Sequence, residues 1–172
     1  MKTIVLSALI MILAAALPFA QTFGQGAAEA PQSTDIGFHS PTNIEWKSGP
    51  ASLPAGAKMA ALEGDPTKDG PFVMRLQLPH GYHIPAHTHP KTERVTVISG
   101  TMFLAMGDNL DRSGAKILPT GTYGFWPAGM KHAAWFDEGT VIQIHGLGPW
   151  QINYVNPVDD PRNAKNSQAP AH

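Results

Sequence analysis

The chain has 172 residues, of which 42% are hydrophobic and 15% charged, with a formal net charge of −1 at pH 7; these values predict one folded domain with a hydrophobic core and exclude a largely disordered chain. No block of Lys and Arg is present, so a nucleic-acid partner is not expected. The chain contains no cysteine, which excludes disulfides and thiolate metal sites.

The first residues have the pattern of a secretory signal peptide. Lys2 supplies a positive charge, an almost unbroken apolar run extends from Ile4 to Leu17, and Ala20 is a candidate last residue before cleavage. The alternative is a membrane anchor, but the run has only fourteen residues before Pro18, whereas a membrane span needs about 20. We therefore expect residues 1–24 to be a signal peptide, whose cleavage position the sequence does not fix. The protein is expected to be exported, periplasmic or secreted, and not membrane-anchored after cleavage.

The rest of the chain divides into three parts by composition. Residues 25–35 continue an Ala-, Gly- and Gln-rich stretch and are expected to form a flexible leader. Residues 36–160 are expected to form one domain, and the polar residues 161–172 a loose C-terminal tail.

Short apolar runs separated by turn residues predict β-strands throughout the domain. The 17 Gly and 16 Pro residues fit many turns, and helical periodicity is weak. Strands of this length and spacing are typical of an all-β sandwich or barrel. The turn at residues 99–101 predicts a tight hairpin, with Gly100 in a positive-φ conformation. The predicted strands are 58–62, 72–78, 94–98, 101–106, 123–126, 132–136 and 140–145.

Two metal-binding side-chain types, His and Glu, lie close together in the segment 81–93, GYHIPAHTHPKTE. His87 and His89 are two residues apart, so an extended chain places both on one face. Glu93 has the same parity if the extended conformation persists. Imidazole and carboxylate groups suit a divalent transition metal. A neighbouring strand could bring His132 beside them.

At this point the chain resembles the cupin superfamily. The first cupin motif is Gly, five residues, His-x-His, three or four residues, Glu, six residues and Gly, and residues 81–100 match it throughout. The second is Gly, five residues, Pro-x-Gly, two residues, His, three residues and Asn. Residues 121–132 match it, but Phe136 stands where the motif has Asn. The matching positions are Gly81, His87, His89, Glu93, Gly100, Gly121, Pro127, Gly129 and His132.

The resemblance implies a fold and a metal centre. The fold is the cupin-type double-stranded β-helix, a jelly-roll barrel of the all-β class. The implied cofactor is one divalent transition metal, and Fe, Mn, Ni, Cu, Co and Zn all accept this donor set. Glu93 is also the candidate catalytic residue, because a carboxylate ligand can release the metal to take a proton. The implied metal ligands are His87, His89, Glu93 and His132.

Other polar residues are candidates for the pocket wall. Gln143 and His145 share one face of the predicted strand 140–145, with Ile142 and Ile144 on the other. If the polar face turns into the barrel, Gln143 and His145 are pocket-lining residues; the alternative is that this face meets solvent. His83 lies outside the motif and is expected to be solvated.

The fold leaves several functions open. The first hypothesis is an exported, metal-dependent enzyme, oxygenase-like, acting on a small oxygenated molecule. The second is a non-catalytic cupin module that binds a small ligand or carbohydrate. A sensor role like that of the zinc-binding cupin domains of anti-sigma factors is disfavoured, because those domains work in the cytoplasm beside a helical partner-binding segment. Cupins commonly pair through edge strands, so a homodimer is expected.

Overall fold

Two antiparallel β-sheets make up the part of the chain that the computed structural model describes, residues 36–164. The remaining secondary structure is a one-turn helix α1 (Pro161–Ala164) and three short 3-10 turns (Pro41–Asn43, Arg112–Gly114 and Pro157–Asp159). No helix in residues 36–164 is both long and apolar enough to cross a bilayer. The strands are β1 (Lys47–Ser48), β2 (Lys58–Glu63), β3 (Gly70–Leu78), β4 (Tyr82–Thr88), β5 (Glu93–Ser99), β6 (Thr101–Met106), β7 (Lys116–Pro119), β8 (Tyr123–Trp126), β9 (His132–Phe136), β10 (Thr140–Gly148) and β11 (Asn153–Tyr154).

Strands that follow one another along the chain usually lie in different sheets. The six-stranded sheet has the order β1-β2-β3-β10-β5-β8, and the five-stranded sheet has the order β11-β4-β9-β6-β7. The chain therefore crosses from sheet to sheet at β3–β4, β4–β5, β5–β6, β7–β8, β8–β9, β9–β10 and β10–β11. This confirms the all-β class predicted from the short apolar runs.

All seven predicted strands are present, and three have the predicted bounds: β6, β8 and β9. The sequence pattern did not predict the other four strands, β1, β4, β7 and β11. Two of these, β1 and β11, have two residues each, too few to show an alternating pattern. Strand β4 contains Pro85 and ends at Thr88, so its apolar alternation is interrupted by the histidine segment.

The predicted hairpin at residues 99–101 is wrong. Strands β5 and β6 belong to different sheets, and β5 pairs with β10 and β8 instead. Gly100 does have positive φ, at 78°. A Cβ atom there would lie 2.5 Å from Thr140 Oγ1 and 2.9 Å from the Gly139 carbonyl oxygen. The turn thus packs against the start of β10 and carries the chain across the sandwich.

The inward faces of both sheets form one hydrophobic core. Phe136, which replaces the Asn of the second cupin motif, is fully buried, and its ring lies 6.3 Å from that of Tyr82. Burying one such aromatic side chain stabilises the fold by about 1.5–3 kcal/mol. The same inward rows carry Ile84 in β4 and Ala134 in β9, which are register partners. On the same two strands, His87 and His132 are also buried and are register partners.

The terminal regions predicted from composition lie mostly outside the described residues. This holds for the expected signal peptide at 1–24 and for the leader at 25–35. The expected loose tail from residue 161 begins with helix α1, where Arg162 donates a hydrogen bond to the Ile152 carbonyl at 3.1 Å. Residues 165–172 lie outside the described part.

Candidate metal centre

Three histidines and one glutamate meet inside the sandwich, close to one end of the core. His87 in β4 and His132 in β9 are direct register partners in the five-stranded sheet. Glu93 is the first residue of β5 in the other sheet, and His89 follows the end of β4. All four side chains are buried. The fold therefore brings together the four residues that the sequence singled out as ligands.

The distances between the donor atoms suit one shared ion. One nitrogen from each of the three histidines lies within 4.8 Å of the other two. Glu93 Oε2 lies 3.2 Å from His89 Nε2 and 3.5 Å from His132 Nε2. Two ligands that are each about 2.1 Å from one ion lie about 3.0–3.4 Å apart at right or tetrahedral angles. The observed separations are close to that range.

The backbone fixes the proton on each imidazole ring. Each Nδ1 lies within hydrogen-bond distance of a carbonyl oxygen, which can only accept, so each Nδ1 carries the hydrogen. In a neutral ring the other nitrogen, Nε2, then presents a lone pair, as metal-binding histidines do. The three bonds are His87 Nδ1 to Pro85 O at 2.7 Å, His89 Nδ1 to Gln151 O at 2.6 Å and His132 Nδ1 to Met130 O at 3.0 Å.

Acceptor atoms of the histidines and of Glu93 face one another in the buried centre. His89 Nε2 makes no hydrogen bond among the described residues, although Glu93 Oε2 is close to it. Lone pairs of neutral imidazoles thus point at a carboxylate that can itself only accept when ionised. Acceptors held together without a cation repel one another, and an unpaired buried acceptor is costly. The donor set fits a metal ion, or failing that a proton on one ring.

The pKa values follow from this crowding. Burial, followed by the neighbouring His132 and His89, lowers the pKa of His87 to about 3. Burial alone would raise the pKa of Glu93, but the neighbouring imidazoles of His89 and His132 lower it well below its ordinary value. Burial alone would lower the pKa of His89, but the Glu93 carboxylate and the Gln151 carbonyl together raise it. At neutral pH the centre therefore offers an ionised carboxylate and a neutral His87.

A small apolar cavity adjoins the centre. Its volume is about 20 Å³, and its walls include Leu76, Met102, Ile142 and Ile144 as well as the four candidate ligands. A space of about 10–15 Å³ is needed to hold one water molecule. The cavity therefore has room for a water or a diatomic molecule beside the histidines.

Two tryptophans that the sequence analysis did not assign to the site also contact it. Trp150 Nε1 donates a hydrogen bond to Glu93 Oε1 at 3.0 Å, and its ring stacks on His89 at 5.4 Å. The Trp126 ring lies 5.1 Å from His132, and its buried indole N–H has no partner among the described residues. Trp150 follows the last long strand and lies outside both cupin motifs, so no spacing pattern could have indicated it.

Gln143 and His145 do not line the cavity of the histidine centre. Ile142 and Ile144 face that cavity, which places Gln143 and His145 on the outer face of β10. Gln143 Oε1 accepts a hydrogen bond from Arg75 Nε at 3.1 Å, and the His145 ring stacks near Tyr123 at 6.1 Å. Gln143 thus has the outward orientation. His145 also lines a second cavity of about 10 Å³, together with His89, Glu93 and Trp150, so its assignment as a pocket-lining residue stays a prediction. The apolar residues of the strand turn inward because they cover the core.

His83 is also outside the centre. Its side chain is exposed on the outer face of β4, where it stacks on Trp135 with ring centroids 4.9 Å apart. Burial against that ring lowers the pKa of His83. The expectation that His83 is solvated and not a ligand agrees with this position.

Comparisons with known proteins identify the fold. The profile of the ChrR cupin-like domain family matches residues 37–151, more than half of the chain. A comparison with curated proteins finds no match. Similar solved structures include the polyketide cyclase RemF from Streptomyces resistomycificus, with a TM-score of 0.58, 16% identity and coverage of 79% of this chain and 95% of that one.

Two further solved structures show the same architecture. An acetylacetone dioxygenase from Acinetobacter johnsonii has a TM-score of 0.57 and 16% identity, with 83% of this chain and 96% of that chain covered. An RmlC-like cupin from Shewanella frigidimarina has a TM-score of 0.50 and 16% identity, with 67% of this chain and 92% of that chain covered. At these identities the similarity concerns the fold, which is the jelly-roll barrel expected from the sequence.

Proposed function

Because the chain belongs to the family of ChrR cupin-like domains, we propose that its three clustered histidines and Glu93 form a metal centre. The observation that carries this proposal is the geometry of the donor atoms, because the histidine nitrogens and the buried Glu93 carboxylate face one another at distances that suit one shared ion. A divalent transition ion satisfies all four groups at once. The donor set does not select one metal among Fe, Mn, Ni, Cu, Co and Zn.

The function we favour is that of a metal-dependent, oxygenase-like enzyme acting on a small oxygenated molecule. A bound ion with open positions polarises an oxygen-bearing molecule or activates dioxygen. The histidines are neutral ligands, Glu93 supplies the one negative charge, and the apolar cavity wall excludes bulk water. The acetylacetone dioxygenase named above is similar to this chain in fold only. The proposal therefore rests on the donor set and not on that similarity.

A non-catalytic cupin module is the second candidate, and the size of the cavity favours it. About 20 Å³ beside four buried ligands accommodates no organic substrate without movement of the walls. A domain that binds a metal or a very small ligand without turnover needs no more space. The family is named after ChrR, but the name of a domain family assigns no partner to this chain. The expected homodimer stays a prediction.

One experiment separates the two candidates. The purified protein is analysed for metal, and oxygen uptake is followed over a panel of catechols, flavonols and keto-acids. Chelator-treated protein and the ligand variant His132→Ala are the negative controls, and His83→Ala is the matched control outside the centre. Metal-dependent oxygen uptake supports the enzyme. Stoichiometric metal without turnover on any compound of the panel favours the binding module, and protein without metal affinity contradicts the metal centre.

A further inference from the structure

We infer that Trp150 is a positioning residue that restricts Glu93 to binding the metal through Oε2 alone. This inference rests on the proposed metal centre and adds a residue to it. The indole N–H of Trp150 donates to Glu93 Oε1 at 3.0 Å. The other oxygen, Oε2, is the one that faces His89 Nε2 at 3.2 Å and His132 Nε2 at 3.5 Å. The two oxygens of one carboxylate therefore have different partners.

The same segment also orients a second ligand. The Trp150 ring stacks on the His89 ring, with centroids 5.4 Å apart and planes inclined by 27°. The next residue, Gln151, accepts the hydrogen bond from His89 Nδ1 at 2.6 Å. Two consecutive residues thus contact two neighbouring ligands, and one of these contacts fixes the tautomer that leaves Nε2 free.

Trp150 is itself held from both sides. Its backbone N–H donates to the Pro66 carbonyl at 2.6 Å. Two residues later Ile152 is buried in the core, and strand β11 then pairs with β4, where Tyr154 is the register partner of His87. The Tyr154 hydroxyl donates to the Ser52 carbonyl at 2.7 Å. An indole anchored in this way provides a fixed donor for Glu93.

A fixed donor on one oxygen has a defined effect on a carboxylate ligand. A free carboxylate can rotate, or bind an ion through both oxygens and occupy two coordination positions. Trp150 is neutral, so it holds Oε1 without cancelling the charge that Glu93 contributes. Binding through Oε2 alone leaves one more position on the ion open for an exogenous ligand. Partners of this kind typically change metal affinity about 10–100-fold when they are removed.

The test compares Trp150→Phe with Trp135→Phe. Phenylalanine at position 150 keeps a ring beside His89 but has no N–H. Trp135 is the matched control, because it is also part-buried but lies on the outer face of the five-stranded sheet, stacked on His83. The probe is Co²⁺ alone, with affinity measured by chelator competition and coordination number by the visible absorption spectrum. We expect Trp150→Phe to weaken Co²⁺ binding about 10–100-fold and to alter the spectrum. Trp135→Phe is expected to do neither.

The possible failures are distinguishable. Wild-type protein that binds no Co²⁺ overturns both the metal centre and the role of Trp150. Wild-type affinity and spectrum in a folded Trp150→Phe protein overturn the role of Trp150 alone. If that variant does not fold, the indole ¹⁵N–¹H signal of Trp150 in the intact Zn²⁺-loaded protein decides. Slow exchange with solvent supports the bond to Glu93, and rapid exchange overturns it.

Discussion

His87 and His132 are direct cross-strand partners, and their ring centroids lie 4.1 Å apart in the interior of the sandwich. Burial, followed by the neighbouring His132 and His89, lowers the pKa of His87 to about 3. Such a pair is unfavourable in an apolar core unless something binds both rings. The pairing brings two of the four proposed metal ligands together inside the sandwich.

The first prediction concerns these two ligands. Replacing His87 or His132 by Ala should reduce metal content from about one ion per chain to a small fraction, because each change removes a donor atom. His83→Ala is the control, since His83 is exposed and contacts Trp135. Elemental analysis of protein purified in parallel provides the measurement. Full occupancy in both ligand variants would contradict the assignment.

The second prediction concerns Glu93→Gln. The Trp150 N–H should keep the amide oxygen at the Oε1 position, which directs the NH₂ group toward the lone pairs of His89 and His132. The amide then donates where the carboxylate could only accept. We expect the variant to lose most of its metal affinity, because the amide N–H groups occupy the nitrogens that would bind the ion. It should also lose stability without metal, because ionised Glu93, whose pKa is lowered in the fold, stabilises the native state at neutral pH.

Urea unfolding of chelator-treated protein, together with Co²⁺ titration, checks this result. Glu93→Ala is the comparison, because it also removes the charge but leaves Trp150 and His89 without a partner. A Glu93→Gln protein that is more stable than wild type without metal, or that binds Co²⁺ as tightly as wild type, would contradict the prediction.

The third prediction tests the replacement in the second cupin motif. Phe136→Asn restores the motif residue but places an amide where the side chain is fully buried. It should lower the free energy of unfolding by about 3–5 kcal/mol, as other deletions of buried aromatic rings do. Phe125→Asn is the matched control, with an effect within about 0.5 kcal/mol, because Phe125 is 67% exposed. Equal effects of the two changes in urea unfolding would place Phe136 outside the core.

The fourth prediction is a dependence on alkaline pH. Burial, followed by the charge of Asp160, raises the pKa of Tyr154 to about 12. The stability that Tyr154 contributes is fully present below its unfolded pKa of about 10 and is lost as pH rises through about 12. Tyr154→Phe should therefore lose less stability than wild type between these values. Thermal unfolding of metal-free protein measured at several pH values tests the slope, and parallel curves would reject the prediction.

The fifth prediction concerns export and lies outside the described residues. The apolar run ending at Leu17 is short for a membrane span, so we expect the mature protein to begin between Gln21 and Glu29. N-terminal sequencing of protein from an exporting host decides this. Recovery of the chain with Met1 in the membrane fraction would favour the anchor.

The strands were predictable because alternation over a few residues marks a strand. The ligand set followed from the resemblance to the two cupin motifs, since Glu93 meets His87 from the opposite sheet and not from the same extended segment. Pairing between strands depends on distant partners, which is why the turn at Gly100 was interpreted as a hairpin. The orientation of Gln143 was open because alternation defines two faces and not which one is covered.

The contribution of Trp150 could not be inferred from the sequence for the same reason. Its contact with Glu93 joins residues 57 positions apart and depends on how the segment after β10 folds back on the core. A tryptophan between a proline and a glutamine has no local signature of this role. Only the assembled structure shows that an indole and a carboxylate meet.

The order of the site along the chain has a consequence for its biogenesis. All four candidate ligands precede residue 133, but Trp150, Gln151 and the pairing of β11 with β4 come later. A nascent chain whose synthesis has reached Gly148 carries every donor atom without the groups that orient His89 and Glu93. If the proposed metal centre forms, metal capture should therefore be among the last events in the maturation of this protein, after synthesis has passed Gln151. A ribosome-bound intermediate stalled before residue 150 is expected to exchange its ion freely.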